Sequence, residues 1–322
     1  MPRVHVPASL HLPAPVTGNR SAVVVMQGLG GPKDHRERAY GAFLAERGYI
    51  ALVPDSFAGR SIRWRFDDIR ALFLTESMML ADAFAALRYL AGRPDVDPRR
   101  VFIIGFSYGG MISVLTAYRQ LADLFLPGGP RFAGHVSYYG CSIPRLEDPR
   151  TTGSPVLMLL ARRDRNVCPE RSEQIAADLQ IGGSPTHLET FDAYHQWDGD
   201  DVKARHVLFN LRRCRMHLDR RNEVFDECTG LRMRGMVSRA VLIAMSVDPK
   251  GYTIQQDLET QRVSDRLLLS LLRNATHAGN ESAFLPERLH SPAPATVSSG
   301  TSRIHHRRGS DEVRHEEYHD NP

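Results

Sequence analysis

Little in this 322-residue sequence points to a membrane or a nucleic acid. No stretch approaches the ~18 uncharged apolar residues that a membrane span requires, and residues 1–15 lack the sustained apolar segment of a secretion signal. Lys plus Arg (41) exceed Asp plus Glu (37) by only 4, which is weak evidence for a nucleic-acid partner. These absences predict a cytoplasmic protein with neither a membrane nor a nucleic acid as its partner.

Cysteine is scarce as well, and its spacing suggests no metal. The chain has 4 cysteines, and none of them forms a CxxC pair or a metal-ligand spacing. They read as reduced, structural thiols. The Gly-rich turn Gln27–Gly31 lacks both the GxGxxG spacing and the Lys-Ser/Thr of a phosphate-binding loop. The sequence therefore predicts neither a metal nor a cofactor.

The composition is that of an ordinary folded protein, with 42% hydrophobic and 24% charged residues. As far as residue 205, short apolar runs alternate with segments of helical period, a pattern typical of a mostly parallel sheet flanked by helices. The predicted strands cover residues 22–26, 49–53, 101–104, 156–161 and, more weakly, 187–191. The predicted helices include residues 35–47 and 75–91, the second with Thr75 as its N-cap.

The pattern changes after about residue 205. An Arg-rich segment leads into two stretches, 236–247 and 258–272, whose apolar spacing suits helices. From about residue 286 the chain has few large apolar residues, so ordering it would cost more entropy than burial returns. We therefore predict an α/β domain over residues 1–210, a helical C-terminal extension over residues 211–280 and a disordered tail over residues 281–322.

One motif carries chemistry by itself. The segment Gly105–Gly110 follows the strand at 101–104 directly, contains the GxSxG pattern and precedes a segment of helical character. In such a strand-turn-helix elbow the serine stands in a strained conformation above the sheet, and small residues two positions away on either side allow the turn. Ser107 is the predicted nucleophile. The backbone N–H of Tyr108, at the start of the helix, is a predicted oxyanion donor.

A serine hydroxyl needs a base to remove its proton and an acid to orient that base. In α/β-hydrolases the chain order is Ser, then acid, then His, with the acid after a later strand and the His in a loop after the last one. Asp164 follows the strand at 156–161, and His195 follows the weaker strand at 187–191. Asp192 is a lesser rival for the acid. Two further rivals for the base are expected outside the loop, His187 in the last strand and His206 in the following helix.

The first Gly-rich turn supplies a second oxyanion donor. Leu29 lies in the turn Gln27–Gly31 after the strand at 22–26, where glycines allow close backbone approach. Its N–H is predicted to complete the oxyanion hole with that of Tyr108.

Together these residues resemble the dienelactone hydrolase family of the α/β-hydrolase fold. The resemblance spans about residues 3–210 and lies in the Gln27–Gly31 turn, the Tyr49–Asp55 strand with Ser56 and Phe57, the segment Arg93–Arg100, the elbow, the segment Ala161–Pro169, and Tyr194 with His195. It implies a hydrolase with no metal or cofactor, with Ser107 as nucleophile, Asp164 as acid and His195 as base. Dienelactone-cleaving members carry Cys at the nucleophile position and Glu immediately after the Gln of the first turn, where this chain has Ser107 and Gly28.

The predicted function is thus a serine hydrolase that cleaves small carboxylic esters or lactones through an acyl-enzyme. A thioesterase or peptidase on the same fold, and a non-hydrolytic scaffold whose extension recruits a protein partner, remain open alternatives. Arg60, Arg63 and Arg65 with Trp64 either bind an acidic substrate or form a solvated loop. Tyr138, Tyr139 and Cys141 either line the pocket or pack in the core.

Overall fold

The computed structural model describes residues 4–15, 18–63 and 66–277. The strands of this part of the chain are β1 Ala8–His11, β2 Arg20–Met26, β3 Ile50–Pro54, β4 Val96–Phe106, β5 His135–Tyr138, β6 Arg145–Leu146, β7 Val156–Ala161, β8 Thr186–Phe191, β9 Arg205–Val207, β10 Met216–Leu218, β11 Val224–Asp226 and β12 Tyr252–Ile254. The helices are α1 Ala39–Ala45, α2 Asp67–Phe73, α3 Glu76–Ala91, α4 Tyr108–Leu115, α5 Arg119–Phe125, α6 Pro169–Ile181, α7 Met236–Ser246 and α8 Leu258–His277.

A seven-stranded sheet of order β1-β3-β2-β4-β5-β7-β8 forms the centre of the fold. Strand β1 runs antiparallel to β3, and the other neighbouring strands run parallel. All five strands predicted from apolar runs are present in this sheet. Apolar runs predicted these strands because strands buried on both faces of a parallel sheet need apolar residues on both faces. The fold is that of an α/β-hydrolase, as the sequence predicts.

Successive residues of each strand serve opposite hydrophobic layers. Val24 of β2 belongs to the hydrophobic layer that includes residues of α3, α4 and α6, whereas its neighbours Val23 and Val25 belong to the layer that includes residues of α1 and α8. The carboxyl ends of β2, β4, β7 and β8 meet at one edge of the sheet, and the loops that follow them carry the predicted site residues.

Helix boundaries follow local signals closely in one case and less so in another. Helix α3 begins directly after Thr75, whose side-chain oxygen accepts a hydrogen bond from the Met78 N–H at 3.3 Å, so the predicted N-cap is confirmed. The helix expected over residues 35–47 is instead a π-helical turn, Asp34–Arg38, followed by α1.

The segment after residue 210 contains α7 and α8, as predicted, and also the short strands β10, β11 and β12, which the pattern did not indicate. Strand β10 pairs with β6, and β12 pairs with β9. The placement of His206 in a helix was wrong, because it lies in β9. Leu268, Leu271 and Leu272 of α8 are buried against the central sheet, so this segment completes the core. The predicted tail lies outside the described residues.

None of the helices in residues 4–15, 18–63 and 66–277 is both long and apolar enough to cross a membrane.

Candidate active site

The turn between β4 and α4 holds Ser107 in a strained conformation. Its φ is 53° and its ψ is −112°, a region that residues other than glycine rarely adopt. A Cβ atom on Gly105 would lie 2.1 Å from the carbonyl oxygen of Gly109, and one on Gly109 would lie 2.4 Å from that of Met26. Both glycines are therefore required for the strand and the helix to approach so closely.

Three side chains that are distant in the sequence meet above this turn. Ser107 Oγ lies 3.0 Å from His195 Nε2, and His195 Nδ1 lies 2.5 Å from Asp164 Oδ2. The imidazole and the carboxylate are fully buried, and the serine is 8% exposed. The geometry is that of a nucleophile in contact with a base that a carboxylate orients.

Loop contacts keep the acid and the histidine in place. Asp164 follows β7, and its Oδ1 accepts a hydrogen bond from the Asn166 N–H at 2.7 Å. His195 lies in the loop after β8 and contacts the rings of Tyr139 and Tyr252, whose centroids are 4.6 Å and 5.0 Å from that of the imidazole. These contacts help to hold the buried imidazole beside the serine.

The predicted oxyanion donors face the same small cavity as Ser107, which Leu29 and Tyr108 both border. Glu37 anchors the first turn, because its buried carboxylate accepts hydrogen bonds from the N–H groups of Gly28 and Lys33 at 3.3 Å and 2.8 Å. Arg36 donates to the same carboxylate at 2.9 Å. Burial alone would lower the pKa of Arg36, but Glu37, with smaller contributions from Tyr139 and Asp198, outweighs burial and raises this pKa, so the guanidinium stays charged.

The rival residues lie elsewhere. Asp192 forms an ion pair with Arg163 in an exposed position, and His187 contacts Glu189 at 3.2 Å. Neither side chain contacts the His195–Ser107 pair. Arg60 is held by Asp82 in a bidentate ion pair of 2.7 Å and 2.8 Å, so its guanidinium serves the packing of α3. Arg63 is exposed; Trp64 and Arg65 lie outside the described residues.

Cys141 is the other potential nucleophile in the site. Its sulfur lies 3.8 Å from Ser107 Oγ. Burial raises the pKa of this thiol to about 12, so it is neutral at physiological pH and lacks the thiolate on which cysteine chemistry depends. Tyr139 also borders the site, through its contact with His195, and its hydroxyl donates to the buried Asp198.

The residues that cover the site were not predicted from the sequence. Phe209 and Leu211, which precede β10, and Tyr252 of β12 border the cavity, which is only about 30 Å³. Each stands more than ten residues beyond His195, in a segment without a chemical motif. The extension also holds the loops directly: Arg212 donates to the Val167 carbonyl at 2.7 Å, and Gln255 donates through its backbone to the His195 carbonyl at 3.3 Å.

A further set of hydrogen bonds joins α7 to Tyr108, the residue after Ser107. The guanidinium of Arg239, 4% exposed, donates to Glu76 at 2.6 Å and to the Tyr108 hydroxyl at 3.3 Å. Tyr108 in turn donates to Glu76 at 2.8 Å. Burial alone would raise the pKa of Glu76, but the charge and hydrogen bonds of Arg239, together with hydrogen bonds from the backbone and from Tyr108, outweigh burial and lower this pKa. The extension thereby holds the side chain of Tyr108, the first residue of α4.

Replacing Arg239 with Met should destabilise the protein by about 2–3 kcal/mol. The cost is smaller than for a fully buried pair because the Glu76 side chain is 32% exposed. The pKa of Glu76 is lowered on folding, so the ion pair stabilises the wild-type protein fully above about pH 4.3. This stabilisation decreases as the pH falls through the lowered pKa, and the difference between the wild type and the variant decreases with it. Urea unfolding at pH 7 and pH 3 measures both effects.

Arg234 provides the matched control, because its side chain is 73% exposed in the segment before α7. Its replacement with Met should cost less than about 1 kcal/mol at either pH. Equal effects for the two arginines would contradict the role assigned to Arg239.

Within the part of the chain that the structure describes, no group of three or more His, Cys, Asp or Glu side chains is arranged to hold a metal ion.

The elbow, the parallel sheet and the order of Ser107, Asp164 and His195 along the chain define an α/β-hydrolase. The model of the dienelactone hydrolase family matches residues 6–207. The chain belongs to this family, whose members are hydrolases of ester bonds.

Two curated relatives carry the name carboxymethylenebutenolidase homolog. The protein from Xenopus tropicalis is 27% identical over 174 residues, which cover 52% of this chain and 65% of that protein. The protein from Mus musculus is 26% identical over 166 residues, which cover 49% of this chain and 62% of that protein. The matches thus span just under two thirds of each relative's length.

Among solved structures, the apo form of Thermogutta terrifontis esterase 2 aligns with a TM-score of 0.47 and 18% identity, covering 62% of this chain and 87% of that one. At this identity the likeness bears on neither substrate nor mechanism.

Proposed function

We propose that the protein is a serine hydrolase that cleaves small carboxylic esters or lactones through an acyl-enzyme intermediate. The observation that carries the proposal is the pair of hydrogen bonds from Ser107 Oγ to His195 Nε2, at 3.0 Å, and from His195 Nδ1 to Asp164, at 2.5 Å. Family membership supports ester hydrolysis in general.

In the acylation step His195 Nε2 takes the proton of Ser107 as Oγ attacks the carbonyl carbon. The carbonyl oxygen becomes negative and accepts hydrogen bonds from the N–H groups of Leu29 and Tyr108, each donor contributing roughly 3–4 kcal/mol. His195 then gives its proton to the leaving oxygen. Asp164 keeps the proton on Nδ1, so that Nε2 faces the serine.

In the deacylation step a water molecule replaces the alcohol. His195 removes a proton from this water, the resulting hydroxide attacks the acyl carbon, and Ser107 leaves with the proton from Nε2. The products are a carboxylic acid and the free enzyme. A hydroxyl nucleophile that depends on His195 fits this site better than a thiolate, because the nearby Cys141 thiol is neutral.

The direct test uses p-nitrophenyl acetate and a fluorophosphonate probe on the full chain. We expect hydrolysis of the ester and labelling of a single residue, Ser107, identified by peptide mass spectrometry. Hydrolysis should stop in proportion to the labelled fraction. Labelling of another residue, or an intact ester with no labelling, would refute the proposal, and the second outcome would favour the non-hydrolytic scaffold.

A further inference from the structure

A cavity of about 420 Å³ lies beside the pocket of Ser107. This is within the range of about 300–1,000 Å³ typical of small-molecule sites. Residues of the α/β domain (1–210) and of the extension (211–280) both line this cavity, and the lining is predominantly apolar. Its apolar lining includes Leu80, Leu121 and Phe125 from the α/β domain and Met216, Leu242 and Ile243 from the extension.

Two residues border both this cavity and the pocket of Ser107, namely Tyr108 and Leu211. Tyr108 and Leu211 thus form a wall that the two spaces share. The nucleophile pocket itself, at about 30 Å³, is too small to hold more than an acetyl-sized group. A larger substrate must therefore extend beyond it, and the apolar cavity is an adjoining space large enough to take an acyl chain.

The polar groups in the cavity do not select a charged ligand. Its charged lining residues within the described part of the chain, Glu76 and Arg239, neutralise each other in their 2.6 Å ion pair. An uncharged apolar chain would meet mostly carbon atoms there and would gain from leaving water, whereas a carboxylate would meet no free cation.

The position of His195 decides which end of an ester enters. The leaving oxygen must face His195 Nε2 to receive its proton, and the side of the pocket next to that imidazole is bordered by Gln196 and Tyr252. Neither residue borders the apolar cavity, which begins at Tyr108 and Leu211. The remaining substituent of the tetrahedral carbon is the acyl chain, which can therefore extend toward the apolar cavity.

From these contacts we infer that the cavity between the α/β domain and the extension binds the acyl chain of the substrate, so that the enzyme prefers esters of unbranched, uncharged acids whose chains are longer than that of acetic acid. This inference rests on the proposed function and names its substrate class. Each methylene that leaves water adds up to about fourfold to kcat/KM, provided that the transition state is bound.

The test compares p-nitrophenyl acetate with p-nitrophenyl octanoate. The wild-type protein should show a kcat/KM at least tenfold higher for octanoate. Ile243→Trp fills the cavity from its partly buried wall, and Ile243 does not border the pocket of Ser107. The variant should lower the octanoate value at least tenfold and the acetate value less than twofold. Val241→Trp is the matched control, since Val241 is 44% exposed on the same helix and does not border the cavity; it should change neither.

A wild-type preference for acetate, or an equal loss on both esters in Ile243→Trp, would overturn the inference while leaving serine hydrolysis intact. If Ile243→Trp does not fold, Ile243→Phe replaces it, with the same expected and contradicting results. If no ester is hydrolysed, the proposed function fails, and calorimetry with decanol decides the cavity: binding to the wild type and Val241→Trp but not to Ile243→Trp upholds an apolar-chain site, and absence of binding overturns it.

Discussion

Replacing Ser107 with Ala should lower kcat/KM for p-nitrophenyl esters by about 10,000-fold or more. The variant lacks the oxygen that forms the acyl-enzyme, and neither His195 nor Asp164 can substitute for it. The residual rate above that in water would come from oxyanion donors acting on a direct attack by water. Steady-state hydrolysis at saturating and limiting ester concentrations measures the effect.

The loss should occur without a change in fold. The substitution removes one hydrogen bond of 3.0 Å, so the free energy of unfolding should change by about 1 kcal/mol or less. Ser113→Ala is the matched control: Ser113 is buried on α4, and its hydroxyl donates to the Ile103 carbonyl, away from the pocket. This control should keep most of the activity. A Ser107→Ala variant with wild-type turnover would remove Ser107 from its proposed role.

Replacing Asp164 with Asn should lower kcat by about 1,000- to 10,000-fold. An amide in this place can offer its NH₂ group to Nδ1, which favours the tautomer whose proton stands on Nε2, and that nitrogen can then no longer accept the serine proton. The neutral amide also stabilises the imidazolium of the transition state less than the carboxylate does. Because the side chain keeps its size, the loop after β7 should stay in place.

Asp192→Asn tests whether the position or merely a carboxylate near the histidine matters. Asp192 lies three residues before His195 and forms an ion pair with Arg163 at the surface. We expect its replacement to change kcat less than twofold. If Asp192→Asn were as damaging as Asp164→Asn, the assignment of the acid would have to be revised. Both variants are compared at the same pH with the same ester.

The extension gives the site features that the family motifs do not describe. Arg212 and Gln255 bind the loops of Asp164 and His195, and Arg239 binds Tyr108 beside the nucleophile. The same segment forms one wall of the apolar cavity. In this chain the residues after 210 thus support the loops that carry the proposed chemistry, and they are placed to influence which acyl chains fit.

Local patterns were sufficient to predict the central strands, α3 with its cap, and the elbow. These features depend on residues close together in the sequence: the run at 101–104, the glycines around Ser107, and the apolar spacing of residues 75–91. The pairing of Ser107 with His195 and Asp164 was also predicted, though only from the chain order that the elbow implies. The short strands β10, β11 and β12 were not predicted, because an alternation of apolar and polar residues over three positions does not distinguish a strand from a loop.

The sequence by itself determined where a strained serine would stand and which layers would enclose the sheet, because backbone sterics and burial act over a few neighbouring residues. Only the tertiary structure decided how closely the imidazole approaches that serine and which residues of the extension surround it. Its contact with the imidazole spans 88 positions of the chain, and Arg239 reaches Tyr108 across 131. Such pairings depend on how loops and helices pack against one another, and that packing leaves no periodic trace in the sequence.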